Sequence, residues 1–285
     1  MILNINDIKT RLLCNPEPIE VTKMREHILA SFKDLEFYEE GHKYLLHGQQ
    51  IPSVSSLIED LVPKADWERI KMMKAKKEGC TVEDLTRQWE ENNVLATNNG
   101  TSTHLYGEMM MKFVMGEEIF DPIIQPQYEK GYLLPYSSKQ MAVQKYWQDI
   151  FACQDIYPLF PEIKMYMPVP ENRFGISKIY CGTADITLAF KYHEEWCILV
   201  QDFKTNANLL NDYARAKNKM MLKPFNDLYD EPLGHYTIQL SLYSLMLMNL
   251  GYKVIDRRLI WLKEDGSYEK IALQDITERL INYLK

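Results

Sequence analysis

Asp185, Asp202 and Lys204 have the residue types and spacing that phosphate chemistry uses. They lie in IYCGTADITLAFKYHEEWCILVQDFKT, residues 179–205, two runs rich in β-branched and aromatic positions separated by a polar break at His193-Glu194. Alternate side chains of a strand share a face, so Asp202 and Lys204 point one way and Phe203 the other. A tight turn at His193-Glu194 pairs the two strands in a register that sets Asp185 opposite Asp202, with Cβ atoms roughly 4.5–5.5 Å apart. Carboxylates that close raise each other's pKa unless a cation sits between them. Lys204 supplies part of that cation. A hard divalent ion supplies the rest, taking both carboxylates, the main-chain carbonyl of Phe203 and waters. Such an ion activates water as a nucleophile, and Lys204 stabilises charge developing on a phosphate. The plainer alternative is a strand-end Asp beside a solvated D-x-K edge.

Two helices add polar groups. Gln239 and Tyr243 stand four apart on one face of an apolar helix. When buried, such groups need partners, and the sheet carrying Lys204 is the nearest source. His104 and Glu108 have the same spacing on an earlier helix; alone, a helical histidine is more often structural than a ligand.

The order of these pieces is GTSTHLYGE (100–108), GTAD (182–185), QDFKT (201–205) and QLSLY (239–243). It resembles the RecB-type branch of the PD-(D/E)xK nuclease superfamily, over roughly residues 100–250. Within that branch it is most similar to phage and mitochondrial genome-maintenance exonucleases, whose pre-nuclease hairpin YLLHGQQIPSVSSL (44–57) resembles. The resemblance implies a restriction-endonuclease-like α/β core, a mixed central sheet flanked by helices. It implies a Mg2+-dependent deoxyribonuclease, with Mn2+ as a substitute, acting on linear single- or double-stranded DNA ends in phage or bacterial recombination, repair or processing. By resemblance, His104, Asp185, Asp202 and the Phe203 carbonyl hold the metal and Lys204 is the catalytic lysine. Gln239 and Tyr243 support that lysine and the DNA phosphate. Glu162 matches an acidic residue before the G-x-x-D strand, and Glu108 and Thr205 accompany the motifs. A structure-specific endonuclease shares these motifs, and a noncatalytic nucleic-acid-binding subunit is the alternative from another class. Related proteins with an iron–sulfur cluster carry most of its cysteines after the Q-x-x-x-Y helix; none follows Cys197 here, so no cluster is expected. No G-x-x-x-x-G-K-[ST] is present, so no nucleotide cofactor is expected.

These residues need a sheet and covering helices to position them. A hairpin is expected over 36–51, broken at Gly41 and Gly48, then a helix opened by Pro52-Ser53 with a capping box at Ser56–Glu59. Polar helix is expected over 65–93, and a turn at Asn98-Asn99-Gly100 before the helix of His104. A helix over 137–153, strands at 161–169, 178–190 and 196–205, and a loop over 206–233 follow. Gly234 then precedes the apolar helix, and Asp265-Gly266 turns a last hairpin. Two regions result: 1–97, a hairpin and helices covering the DNA groove, and 98–285, the nuclease core. Lys71, Lys74, Lys76 and Lys77 of the first, and Lys217, Lys219 and Lys223 of the loop, are candidate backbone contacts, with a solvated face as the alternative.

Composition sets the outer bounds. With 46% hydrophobic and 26% charged residues over 285 positions, the chain can bury a full core, which excludes disorder. Its formal charge of -7 excludes broad, nonspecific coating of nucleic acid but leaves room for a local basic groove. Five scattered cysteines form no disulfide or zinc pattern, and the N-terminus has no signal core; the chain reads as cytoplasmic, with no membrane partner.

Overall fold

The computed structural model describes residues 2–119, 121–169 and 178–285. Helices α1 (Ile5–Cys14) and α2 (Ile19–Phe32) precede a small antiparallel meander, β1 (Leu35–Tyr38), β2 (Lys43–Leu46) and β3 (Gln49–Ile51). The expected hairpin is therefore three short strands, with Gly41 and Gly48 supplying positive φ at its two turns. Helix α3 (Val54–Asp60) is capped by Ser53, whose hydroxyl accepts from the Ser56 N–H. The cap thus sits three residues before the box expected at Ser56.

Helices α4 (Trp67–Glu78) and α5 (Val82–Val114) form a hairpin, and α5 runs unbroken through Asn98-Asn99-Gly100. No turn forms there. Those residues are poor helix formers but cost only about 1 kcal/mol each at most, and Thr103 Oγ1 closes onto the Asn99 carbonyl at 2.8 Å within the helix. Packing of the segment that follows decides the outcome: Tyr106, Met110, Met111 and Phe113 are all buried. The boundary expected between residues 97 and 98 consequently falls inside one helix. Side chains of α2 and α3 also join the core beneath the sheet rather than a core of their own.

Two short strands follow, β4 (Tyr128–Glu129) and β5 (Tyr132–Leu133), then α6 (Ser138–Ala152), capped by Ser137. The main sheet holds β6 (Ile156–Val169), β7 (Lys178–Tyr192), β8 (Glu195–Lys204), β9 (Lys253–Leu262) and β10 (Tyr268–Ala272), in the spatial order β10-β9-β8-β7-β6. It is mixed: β8 and β9 are parallel and the other neighbours antiparallel. The β7–β8 turn places His193 and Glu194 at φ 46° and 65°, the left-handed pair a two-residue hairpin needs. Pairing then runs from Tyr192↔Glu195 to Ile186↔Gln201, the expected register.

Between β8 and β9 the chain forms α7 (Asp212–Ala216) and α8 (Pro232–Met248), and α9 (Thr277–Leu284) ends it. Gly234 lies in the first turn of α8 rather than before it. A Cβ there would stand 2.3 Å from the Tyr229 carbonyl oxygen, which explains the glycine. Helix α8 is apolar almost all round because the sheet covers one side and α3 and α9 cover another. The molecule is thus layered α/β/α. Ile198, Val200, Leu240 and Leu242 pack in the layer under α8, and Leu188, Phe203, Tyr106 and Trp147 in the layer under α5 and α6. No described helix is long and apolar enough to cross a membrane.

Candidate active site

The ladder between β7 and β8 stops at Ile186↔Gln201, one residue short of Asp185 and Asp202. Beyond it the next backbone donor of β8, the Phe203 N–H, is taken by a side chain: Asp185 Oδ2 accepts it at 2.9 Å. On the other side, Pro161↔Ile186 and Ile163↔Ala184 bracket Glu162 and Asp185. Glu162, Asp185 and Asp202 therefore lie at one level across three adjacent strands. Glu162 has φ 48°, a left-handed conformation costly for a non-glycine residue inside a strand and most often kept where side-chain placement matters.

Helix α5 brings a fourth group. His104 Nδ1 lies 2.8 Å from Asp185 Oδ2, and ligand atoms of His104, Glu162 and Asp185 all fall within 4.8 Å of one another. Asp202 is buried, and its Oδ2 lies 2.5 Å from Lys204 Nζ without a well-directed hydrogen bond. One imidazole nitrogen and hard carboxylate oxygens, one of them short of a donor, fit Mg2+ or Mn2+. Glu162 joins His104 and Asp185, Asp202 is tied to Lys204, and the part of Phe203 bound to the cluster is its N–H.

Electrostatics follow from crowding. Burial pushes the Glu162 carboxyl up to about 7, helped by the charge of Asp185. Burial and Asp185 likewise hold Asp202 well above the usual carboxylate range. Burial would raise Asp185 too, but the charge of His104 and hydrogen bonds from Asp202 and His104 outweigh it and hold Asp185 below that range. Burial disfavours protonated His104, yet Asp185 overcomes it and carries the imidazole to about 9. Lys204 is held above its ordinary value against its burial by Asp202 and Asp185.

Two glycines of the motifs make room for it. A Cβ on Gly107 would meet the Phe203 ring at 2.6 Å, and one on Gly182 would meet Tyr243 Cε1 at 2.5 Å. Tyr243 is buried close to Asp202, and burial, then the charge of Asp202, push its phenol well above the ordinary value. Gln239 Nε2 donates to Tyr243 Oη at 2.9 Å. Among the described residues, the Lys204 ammonium meets Asp202 and the ring of Tyr236, the latter at 4.3 Å. Sequence reasoning missed Tyr236; its position one turn before Gln239 on α8 was the available signal.

Other expected residues are more scattered. Glu108 pairs with Lys112 at 2.8 Å and lines the same groove as His104 and Glu162, a space of about 1130 Å³. Phe37 of β1 and Glu39 and His42 of the turn after it also line this groove. Thr205 lies just past β8, its carbonyl accepting from Lys139 Nζ at 2.6 Å. Lys71, Lys74, Lys76 and Lys77 are on α4, outside that lining. Lys74 sits over the Trp89 ring, 5.2 Å from its centroid. Lys217, Lys219 and Lys223 are exposed around α7, with Lys219 over the Tyr213 ring. Neither group of lysines reaches the carboxylate cluster. No protein-family model and no curated protein matches the chain.

Proposed function

We propose that the protein is a metal-dependent DNA exonuclease. The observation that carries this reading is the convergence of His104, Glu162, Asp185, Asp202 and Lys204 at the point where β7 and β8 part. His104, Glu162 and Asp185 would hold Mg2+ or Mn2+, with Asp202 alongside. When bound, such an ion supplies Lewis acidity towards a phosphate oxygen and an attacking water. Asp185 orients His104 and is itself fixed by the Phe203 N–H. Lys204, kept charged by Asp202, offers its ammonium to the negative charge that builds on the phosphate during in-line attack.

The charge of the groove favours an enzyme that works from ends over one that cuts internally. Its lining includes Glu108, Glu117, Glu118 and Asp121, with Lys112 and Lys164 as counter-charges. A polyphosphate continuing along that lining meets a repelling wall, and a short terminal product, with fewer phosphates, is repelled less. The restriction-endonuclease-like arrangement implied by the motifs belongs to the same proposal.

The test is digestion of linear and covalently closed circular DNA, single- and double-stranded, in Mg2+, Mn2+ or EDTA. The expected result is cleavage of linear substrate only, abolished by EDTA, by Asp202→Asn and by Lys204→Ala. Cleavage of closed circles would replace the exonuclease with an endonuclease. Binding without cleavage by wild type and Asp202→Asn alike would leave a noncatalytic nucleic-acid-binding subunit.

A further inference from the structure

We infer that Tyr236 is a positioning residue for Lys204, holding its ammonium by the face of the phenol ring; the inference rests on the nuclease reading above. Lys204 Nζ stands 4.3 Å from the Tyr236 ring centroid and 2.5 Å from Asp202 Oδ2. The lysine side chain is only 13% exposed, so these two partners, and not bulk water, set its direction. The ring is itself tethered. Tyr236 Oη donates to Asn206 Oδ1 at 2.9 Å, and the Asn206 carbonyl accepts from Trp261 Nε1 at 2.8 Å. Lys139 pins the carbonyl of the intervening Thr205. The two residues after Lys204 are therefore held from α6, α8 and β9 at once.

The physical case for an aromatic partner lies in what a second carboxylate would do. An anion there would neutralise the ammonium and bind its N–H groups. An aromatic face attracts the cation without accepting its proton. Asp202 meets the ammonium at 2.5 Å and the ring takes none of its protons, so an N–H is left to present to a phosphate. Gln239 and Tyr243, the residues the motif assigns to lysine support, hydrogen-bond each other instead. Tyr236 and Gln239 are three apart on one face of α8, so the support is displaced by one turn.

The experiment compares Tyr236→Leu, which removes the ring face, with Tyr236→Phe, which keeps it and loses only the Asn206 tether. The expected result is a kcat about tenfold lower for Tyr236→Leu with KM nearly unchanged, and recovery of most of that loss in Tyr236→Phe. A structural arm needs no activity. In protein labelled with 13C-lysine, the Lys204 ε-methylene protons, assigned by their absence in Lys204→Met, are expected to be shifted upfield by the ring in wild type and Tyr236→Phe but not in Tyr236→Leu. Unshifted wild-type signals overturn the proposal even if Tyr236→Leu fails to fold. So does full kcat in a folded Tyr236→Leu protein while Asp202→Asn is dead, an outcome that leaves the nuclease standing. A wild-type protein that cuts no DNA in either metal removes the nuclease reading and, with it, the role in turnover, whatever the lysine signals show.

Discussion

The Phe203 N–H donates to the Asp185 carboxylate where the next rung of the β7–β8 ladder would otherwise fall. One side chain thereby ends the pairing of two strands and holds His104 at 2.8 Å. Asp185→Asn and Asp185→Ala separate these roles. The asparagine keeps a carbonyl oxygen for the Phe203 N–H, so metal-free Asp185→Asn should lose in urea only what the charge pairing with His104 contributes. Asp185→Ala also leaves that donor unsatisfied beside a buried ring and should lose about 1–3 kcal/mol more than the asparagine variant. Both should lose metal binding and cleavage. Equal stability of the two variants would show that the rung carries no weight.

The clustered charges give the metal-free protein a pH dependence of definite sign. His104 titrates at about 9 when folded, above its ordinary 6.5, because Asp185 outweighs burial. Its contribution is complete below its unfolded value and is lost as pH rises through about 9. Glu162, raised to about 7 by burial and by Asp185, also binds its proton more tightly when folded, so stability falls as pH climbs from its ordinary 4.5 through about 7. Asp185, held low, acts in the opposite sense but only in acid, where its protonation costs stability as pH falls. In EDTA, the urea midpoint should therefore decline between about pH 5 and pH 9.5. His104→Gln should flatten the upper part of that decline and Glu162→Gln the lower part. A wild-type midpoint that rises across this range would contradict the assignment.

Close packing behind the cluster predicts coupling between a helix glycine and a strand phenylalanine. The Gly107 position has a Phe203 ring carbon 2.6 Å from any added Cβ, and that ring is bounded by Tyr146 at 5.5 Å and His104 at 6.4 Å between centroids. It has nowhere to move. Gly107→Ala should cost about 1–3 kcal/mol by overpacking and reduce cleavage, because Phe203 sits between Asp202 and Lys204. Phe203→Leu in the same chain should recover part of the loss, giving a favourable coupling energy in a double-mutant cycle. Strict additivity in urea titrations would count against the contact.

What the sequence revealed and what it hid divide along a physical line. The faces of β8 and the register of β7 against it follow from period-two alternation and a two-residue turn, both local, and Asp185 fell opposite Asp202 accordingly. Helix α5 was harder. Asn98, Asn99 and Gly100 signal a turn by propensity, but apolar contacts made by Tyr106 to Phe113, remote in sequence, hold the helix through them. Ser53 and Ser56 are equally good caps on paper, and the Pro52 carbonyl, bonded to the Cys181 N–H, fixes where the helix begins. The contribution of Glu162 depends on a left-handed residue in β6, and that of Tyr236 on how α8 crosses β8. Spacing marks both positions, one before the G-x-x-D strand and one a turn before Gln239, but carries neither of those geometries.

The lysines of α4 yield a prediction about distance. Lys74 lies beside Trp89, and fifteen residues of α5 separate Trp89 from His104, roughly 22 Å at the rise of an α-helix. Lys71, Lys74, Lys76 and Lys77 are thus placed to meet phosphates well upstream of any cleaved bond, on the side of the cluster away from Glu117 and Glu118. Replacing all four with alanine should weaken binding of long single strands and lower the slope of log affinity against log salt by roughly 0.7 per lysine that touches a phosphate. The rate at saturating DNA should change little, since none of the four reaches the cluster. Oligonucleotides too short to span from His104 to α4 should bind wild type and variant equally. Fluorescence-anisotropy titrations in EDTA, with two strand lengths at several salt concentrations, measure both effects. An unchanged salt slope on the long strand would assign these lysines to a solvated face.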